Sequence, residues 1–180
     1  INSSTGVLTF ASTPDFENAT DSDGNNTYIV TVTVTDGGGQ TGTQTLTVTV
    51  TGVNDNQPTI TSNGGGSTSS ISFAENNTSL VTTVTSTDLD ADDTAIYSIS
   101  GTDLDDFSIN SSTGELTFIN TPDFENATDS DTDNTYIVII TVTDSGELTD
   151  TQTLTVTVTG VNEAPEITSN GAGSTSSISF

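Results

Sequence analysis

Thr43-Gln-Thr-Leu-Thr-Val-Thr-Val-Thr51 sets Leu46, Val48 and Val50 on one side of an extended chain and Thr45, Thr47, Thr49 and Thr51 on the other. Successive side chains of a β-strand point to opposite faces, so this strict alternation marks a half-buried antiparallel strand. Just upstream, Tyr28-Ile-Val-Thr-Val-Thr-Val-Thr35 does the same, with Tyr28, Val30, Val32 and Val34 on one face. Both patterns return at 136–143 and 151–159. Shorter strands are expected around 71–73, 79–87, 96–100, 107–109 and 115–118, where β-branched and aromatic residues lie between turns of glycine, aspartate and asparagine. No stretch of useful length has a helical period. A run of about seven short strands, with turns every eight to twelve residues or so, reads as an all-β Greek-key sandwich.

The chain repeats itself. Ile1-Asn-Ser-Ser-Thr-Gly-Val-Leu-Thr-Phe10 returns as Ile109-Asn-Ser-Ser-Thr-Gly-Glu-Leu-Thr-Phe118, an offset of 108 (109 less 1). Residues 1–54 match 109–162 at 43 of 54 positions, and after a one-residue deletion 60–73 match 167–180 at 13 of 14. That period is much longer than a solenoid unit and close to one independent β-sandwich. Three pieces follow: the C-terminal part of a preceding module in 1–56, a complete module in 57–162, and the first strand of a following module in 163–180. Residues 1–56 lack the opening strands of their module. Those strands are expected from an upstream part of the chain or from a neighbouring molecule.

Composition narrows the chemistry. The 180 residues include no lysine, arginine, histidine, cysteine, methionine or tryptophan, and 25 aspartates and glutamates give a formal charge of −25. Without histidine, lysine or cysteine there is no ordinary general base near neutral pH, no thiolate, no Schiff-base amine and no soft metal ligand. An enzyme is not expected. Nucleic acid and anionic lipid head groups are recognised through lysine and arginine, so neither is a partner, and no apolar run is long enough for membrane insertion. A disulfide framework is excluded. High charge with low hydrophobicity also describes disordered chains, but the strand periodicity argues against disorder here. Clustered carboxylates without internal cations call for cations from solution, and Ca²⁺ tolerates irregular sets of about six to eight oxygens.

The acidic and amide residues recur at fixed phase. Glu75-Asn76 begins the first cluster, and Asp88-Leu-Asp90-Ala-Asp92-Asp93 forms the second. Asp123-Phe-Glu125 is followed by Asp129-Ser-Asp131-Thr-Asp133-Asn134, with earlier copies at Asp15-Phe-Glu17 and Asp21-Ser-Asp23-Gly-Asn25-Asn26. The junction Gly52-Val-Asn54-Asp55-Asn56 and the aspartates Asp36 and Asp144 complete the set. Aspartates at alternate positions of a turn aim their oxygens at one point, as calcium loops do. Unneutralised, each pair near 5 Å opposes folding by roughly 1 kcal/mol or more at an intermediate dielectric.

These residues, taken in order, resemble the cadherin-like repeats of bacterial giant surface adhesins of the RTX type. Cadherin repeats carry "EN", "DxD", "tG.l.t", "DxE", an aspartate after the penultimate strand and a "DxNDN" linker before proline. Here those are similar to Glu75-Asn76, Asp88-Leu-Asp90, Thr113-Gly-Glu-Leu-Thr117, Asp123-Phe-Glu125, Asp144, and Gly52-Val-Asn54-Asp55-Asn56 ahead of Pro58. The resemblance implies calcium at the junctions between modules. One site would draw on Asp15, Glu17, Asn54, Asp55 and the adjacent Asn56 with Asp88, Asp90 and Asp144, and a second on Glu75, Asp123, Glu125, Asn162 and Glu163. Glycine replaces the linker's first aspartate at Gly52 and Gly160, and the second linker reads Asn162-Glu163-Ala164. The loop of Asp129, Asp131 and Asp133 has no counterpart in the animal pattern and is a further candidate for its own ion.

The resulting expectation is a calcium-stiffened extender of a cell-surface adhesin or extracellular filament, outside the cell, whose partners are neighbouring modules. The alternatives are a filament subunit that exchanges strands between chains and a calcium-dependent module that binds cell-surface glycans. The outward threonine rows also suit a flat surface for a repeating solid, although threonine is simply a favoured strand residue and serine and threonine fill 63 of 180 positions. A two-carboxylate glycosidase is disfavoured because no tryptophan platform exists and Tyr28, Tyr97 and Tyr136 fall at inward strand positions.

Overall fold

The structure, a computed structural model, describes residues 1–91, 93–165, 167 and 175. Eleven strands are present among them: β1 (Thr27–Thr35), β2 (Thr41–Thr49), β3 (Thr59–Ile60), β4 (Thr68–Ala74), β5 (Thr82–Thr83), β6 (Ser86–Thr87), β7 (Ile96–Ser100), β8 (Phe107–Ile109), β9 (Glu115–Phe118), β10 (Thr135–Thr143) and β11 (Thr149–Thr159). The only helical turns among the described residues are three single 3₁₀ turns, at Ser62–Gly64, Leu104–Asp106 and Phe124–Asn126. The expected first strand of a following module, in 163–180, lies almost wholly outside the described residues. Asp92 is outside them as well.

The chain forms two compact units. Unit 1 comprises Ile1–Thr59, Ser86–Ile96 and Val142–Asp150; unit 2 comprises Ile60–Thr85, Tyr97–Thr141 and Thr151–Phe180. The strands form sheets in the orders β4-β11-β10-β7, β5-β9-β8, β3-β6 and β1-β2.

In unit 2 the alternation read from sequence becomes the core. Tyr136, Val138 and Ile140 of β10 and Leu154, Val156 and Val158 of β11 are at most 1% exposed, while their neighbours face outward. Opposite them lie Phe107 of β8 and Leu116 of β9, both buried. The aromatic rings join the two sheets of the sandwich: Phe118 lies 4.5 Å from Phe107, 5.3 Å from Phe73 and 5.1 Å from Tyr136, ring centre to ring centre. Such tilted and edge-on pairs add to simple burial. The core also holds one polar group, Gln152, fully buried. Its amide donates to the carbonyls of Gly66 and Ser62 and accepts from Asn63, so no polar atom is stranded.

Two strand expectations change. The stretch 79–87 is broken into β5 and β6, because the chain changes partner midway. Val81 and Val84 donate to Leu116 and Gly114, after which the Thr85 carbonyl accepts from Thr61 and Ser62. The second change is β4, which runs Thr68–Ala74 and pairs in parallel with β11, Thr68 opposite Thr153 and Phe73 opposite Val158.

Unit 1 repeats part of this design with less covering. β1 and β2 pair antiparallel, Tyr28 opposite Val48 and Val30 opposite Leu46. Their inward residues Tyr28, Val30, Val32, Leu46 and Val48 remain half-buried, where the counterparts in β10 and β11 are fully buried. Val7–Phe10, which differs from β9 at one residue, forms no strand.

Candidate metal centres

Four groups of carboxylates bring ligand oxygens within 4.8 Å of one another: Glu17 with Asp55 and Asp90; Asp88 with Asp93 and Asp144; Glu75 with Asp123 and Glu125; and Asp129 with Asp131 and Asp133. The first two lie in unit 1 and the last two in unit 2.

In unit 1 the linker is held by one aspartate. Asp90 is buried; its Oδ2 accepts the backbone N–H groups of Asp55 and Asn56 at 3.1 and 2.9 Å, and its Oδ1 accepts from the Asn56 amide at 3.0 Å. The Asn56 amide foremost, with these N–H groups and against burial, holds the Asp90 carboxyl below its ordinary range. Asp88 accepts from the Asp90 N–H through Oδ1, which bends the loop so that both carboxylates are presented.

Asp144 follows β10. Its Oδ1 accepts the Leu148 N–H at 2.7 Å and tightens the turn to β11. Ser145 donates its N–H to Asp93 and accepts from the Asn54 amide, and hydrogen bonding from the Ser145 side chain is the main influence holding Asp93 below its ordinary range. Three oxygens here are buried with no hydrogen-bond partner: Asp88 Oδ2, Asp144 Oδ2 and Asn54 Oδ1. Stranded buried acceptors are costly, and the chain has no lysine or arginine to satisfy them. Oxygen donors of this kind, three carboxylates with an amide carbonyl, suit a hard divalent cation.

The second junction is organised around Glu75. It is 3% exposed and accepts the backbone N–H groups of Val161 (2.6 Å) and Phe124 (2.8 Å), which hold its carboxyl below the ordinary range. Asp123 caps the turn Phe124–Asn126 by accepting from the N–H groups of Glu125 and Asn126. Burial pushes the Glu125 carboxyl up, and the charges of Glu75 and Glu163 add to the push. Glu163 itself accepts from the Asn76 amide at 2.6 Å. Asn162 is exposed.

The fourth group is a turn stapled from within. Asp129 is buried and accepts from the N–H groups of Asp133 and Asn134. The neighbouring Asp129 carboxyl foremost, then burial and Asp133, pushes Asp131 up.

The carboxylates expected in the first site fall into two groups, Glu17 with Asp55 and Asp90, and Asp88 with Asp144, and Asp93 joins the second. Nothing in the alternation of Asp88, Asp90 and Asp92 singles out Asp93, whose position depends on Ser145, far along the chain. Asp15 is in none of the four groups; its Oδ1 accepts the Asn18 N–H. The glycines that replace the linker's first aspartate have a steric cause. A Cβ at Gly52 would lie 3.0 Å from the Phe16 ring, and one at Gly160 would lie 3.2 Å from the Phe124 ring. The middle residue of each Asp-Phe-Glu motif occupies the space a linker side chain would need.

The cadherin domain model matches residues 69–159, 91 of the 180 residues. The chain belongs to the cadherin family. Solved structures agree with this cadherin fold. The protocadherin gamma B7 extracellular cadherin domains 1–4 superpose with a TM-score of 0.64 at 22% identity, over 79% of this chain and 34% of that one. The protocadherin gamma B4 extracellular domain gives 0.62 at 26% identity, covering 78% and 22%. Mouse cadherin-23 EC22–24 gives 0.58 at 22%, covering 79% and 45%. The chain thus spans between about a fifth and a half of the length of these structures. A search of curated proteins finds no match. Cadherin domains are extracellular adhesion modules rather than enzymes, and they typically bind calcium. Among the described residues no helix is long and apolar enough to cross a membrane.

Proposed function

We propose that this cadherin chain is a calcium-stiffened spacer of a cell-surface adhesin or extracellular filament, in the manner of the extender regions of bacterial RTX-type adhesins. The observation that carries the reading is the trio of stranded oxygens on Asp88, Asp144 and Asn54, set beside Asp93 in a chain without a single basic side chain.

Glu17, Asp55 and Asp90 would hold one ion, and Asn54, Asp88, Asp93 and Asp144 another, with Asp15 and Asn56 shaping the loops between them. At the second junction Glu75, Asp123, Glu125 and Glu163 would serve, with Asn162 in the linker. The loop of Asp129, Asp131 and Asp133 is a further site of the same chemistry. At the first junction the ligands come from both sides of the repeat boundary, 1–56 and 57–162. An ion held by both sides opposes rotation at that boundary, since turning one side would break coordination.

Extracellular calcium modules bind at about 10⁻⁴ to 10⁻³ M. A tenfold excess of ion over its dissociation constant then adds about 1.4 kcal/mol per site, a sizeable part of the roughly 5–15 kcal/mol stability of a small domain. Thermal unfolding and small-angle scattering, recorded in calcium and then in excess chelator, test the reading. Chelation is expected to lower the midpoint and to shorten the maximum dimension. Identical curves in both conditions would leave the acidic groups as solvated surface and refute the spacer.

A further inference from the structure

The turn between β10 and β11 meets the linker at Ser145. The Ser145 hydroxyl oxygen accepts from the Asn54 side-chain amide at 3.1 Å, and the Ser145 N–H donates to Asp93 Oδ1 at 3.1 Å. Ser145 is itself exposed and takes no part in the core. One surface serine thus touches Asn54 from the linker and Asp93 from the loop ahead of β7, and it follows Asp144 directly in the chain.

The hydroxyl decides which end of an amide is left for a cation. A side-chain amide carries an NH₂ that donates and an oxygen that accepts. Beside ionised carboxylates the NH₂ is the end that is drawn in, and there it competes with a cation. In this chain the Asn54 NH₂ is taken by Ser145, and Asn54 Oδ1 is left buried without a hydrogen-bond partner, as are Asp88 Oδ2 and Asp144 Oδ2. Gly146 supplies the room. A Cβ there would strike Asn54 Oδ1 and lie 3.4 Å from Asp144 Oδ1, so both oxygens border the space of a missing side chain. Asp144 is 4% exposed, and no basic residue exists to answer its stranded oxygen.

The turn itself does not need the serine. In the earlier copy, Asp36-Gly37-Gly38-Gly39-Gln40, glycine stands where Ser145 does. Asp36 Oδ1 still accepts the Gln40 N–H at 2.9 Å, as Asp144 Oδ1 accepts that of Leu148, and Asp36 N–H donates to the Gln40 carbonyl as Asp144 N–H does to Leu148. We propose that Ser145 is the positioning residue of this cation site, its hydroxyl holding the Asn54 amide with the oxygen free to ligate and its N–H holding Asp93. This role rests on the calcium reading of Asn54, Asp88, Asp93 and Asp144. Groups that orient metal ligands typically change affinity by about 10–100-fold when removed.

Two nuclear magnetic resonance signals report on this site apart from the other acidic groups: the Asn54 side-chain amide and the backbone N–H of residue 145. The full chain, freed of metal by chelator, is titrated with calcium while both are followed. S145A is expected to weaken binding at these signals by roughly tenfold or more, with a thermal midpoint in chelator equal to that of the unsubstituted chain. S145T keeps the hydroxyl and is expected to restore the affinity. In N54A no amide remains to be oriented, so adding S145A there is expected to change the affinity at residue 145 by no more than about twofold. An unchanged affinity in S145A, an equal loss in the N54A background, or a chelator midpoint that falls in step with affinity overturns the role of Ser145 and leaves the calcium reading standing. Signals that ignore calcium in the unsubstituted chain overturn both.

Discussion

At the residue scale, single positions explain why the motif letters are what they are. Gly114, the glycine of Thr-Gly-Glu-Leu-Thr, has φ of +70°, and a Cβ there would strike the Val84 carbonyl. Gly6, its counterpart, has φ of +71° but open space around it. G114A is therefore expected to cost at least about 2 kcal/mol, combining left-handed strain with a backbone clash, and G6A about 1 kcal/mol from strain alone. Urea midpoints of the two variants check the difference. Asp106 presents a different case. Burial foremost, then the charges of Asp103, Asp129 and Asp105, raises its carboxyl pKa despite a 2.6 Å hydrogen bond from Thr128. A raised folded pKa means that the folded state binds more protons than the unfolded one, so this group adds stability as pH falls from neutral through the folded pKa. Above that range the ionised form is penalised. D106N keeps the Thr128 partner and removes the charge; it should stabilise the chelated protein by up to about 1 kcal/mol at neutral pH, after allowance for solvent screening, and by nothing in mild acid. Equal shifts at both pH values would rule out the charge explanation.

At the scale of elements, the long strands could be read from sequence and the short ones only in part. β10 and β11 are dictated by alternation over nine and eleven residues, which only a pleated chain can sort into two faces. The broken strand at 79–87 could not be read, because its break is made by carbonyls of Thr85 and Gly114 finding different partners. Of β4 the part at 71–73 could be read; the serine-rich stretch before it becomes a strand by bonding to β11. Repetition of sequence does not bring repetition of energetics. Leu154 is fully buried whereas Leu46, at the same point of the repeat, is half-buried. L154A is expected to cost about 3 kcal/mol, in the range for a filled core site, and L46A less than half of that. Chemical denaturation of both variants measures it.

At the scale of the whole molecule, the proposed calcium reading makes stability conditional on cations, because the chain carries a formal charge of −25 and no lysine or arginine. D144N retains an oxygen for the Leu148 N–H and loses the stranded charge, so its sign should reverse with conditions. In chelator it is expected to be neutral or mildly stabilising; in calcium it should forfeit about 1.4 kcal/mol of ion-linked stability at tenfold excess. D93N tests the proposed ligand that spacing alone did not single out and is expected to lower the calcium midpoint gain in the same way. Calorimetric midpoints with and without calcium decide both. The sequence by itself determined the sandwich class, the repeat and its period, and the residue types able to hold a hard cation. Those properties depend on alternation, self-similarity and composition, which are local or additive along the chain. Only the tertiary structure decided that Asp93 joins Asp88 and Asp144, that Phe16 and Phe124 fill the space beside Gly52 and Gly160, and that one copy of the repeated face is covered and the other open. Those facts depend on which backbone groups meet across long stretches of chain, and no spacing within one strand or loop records that.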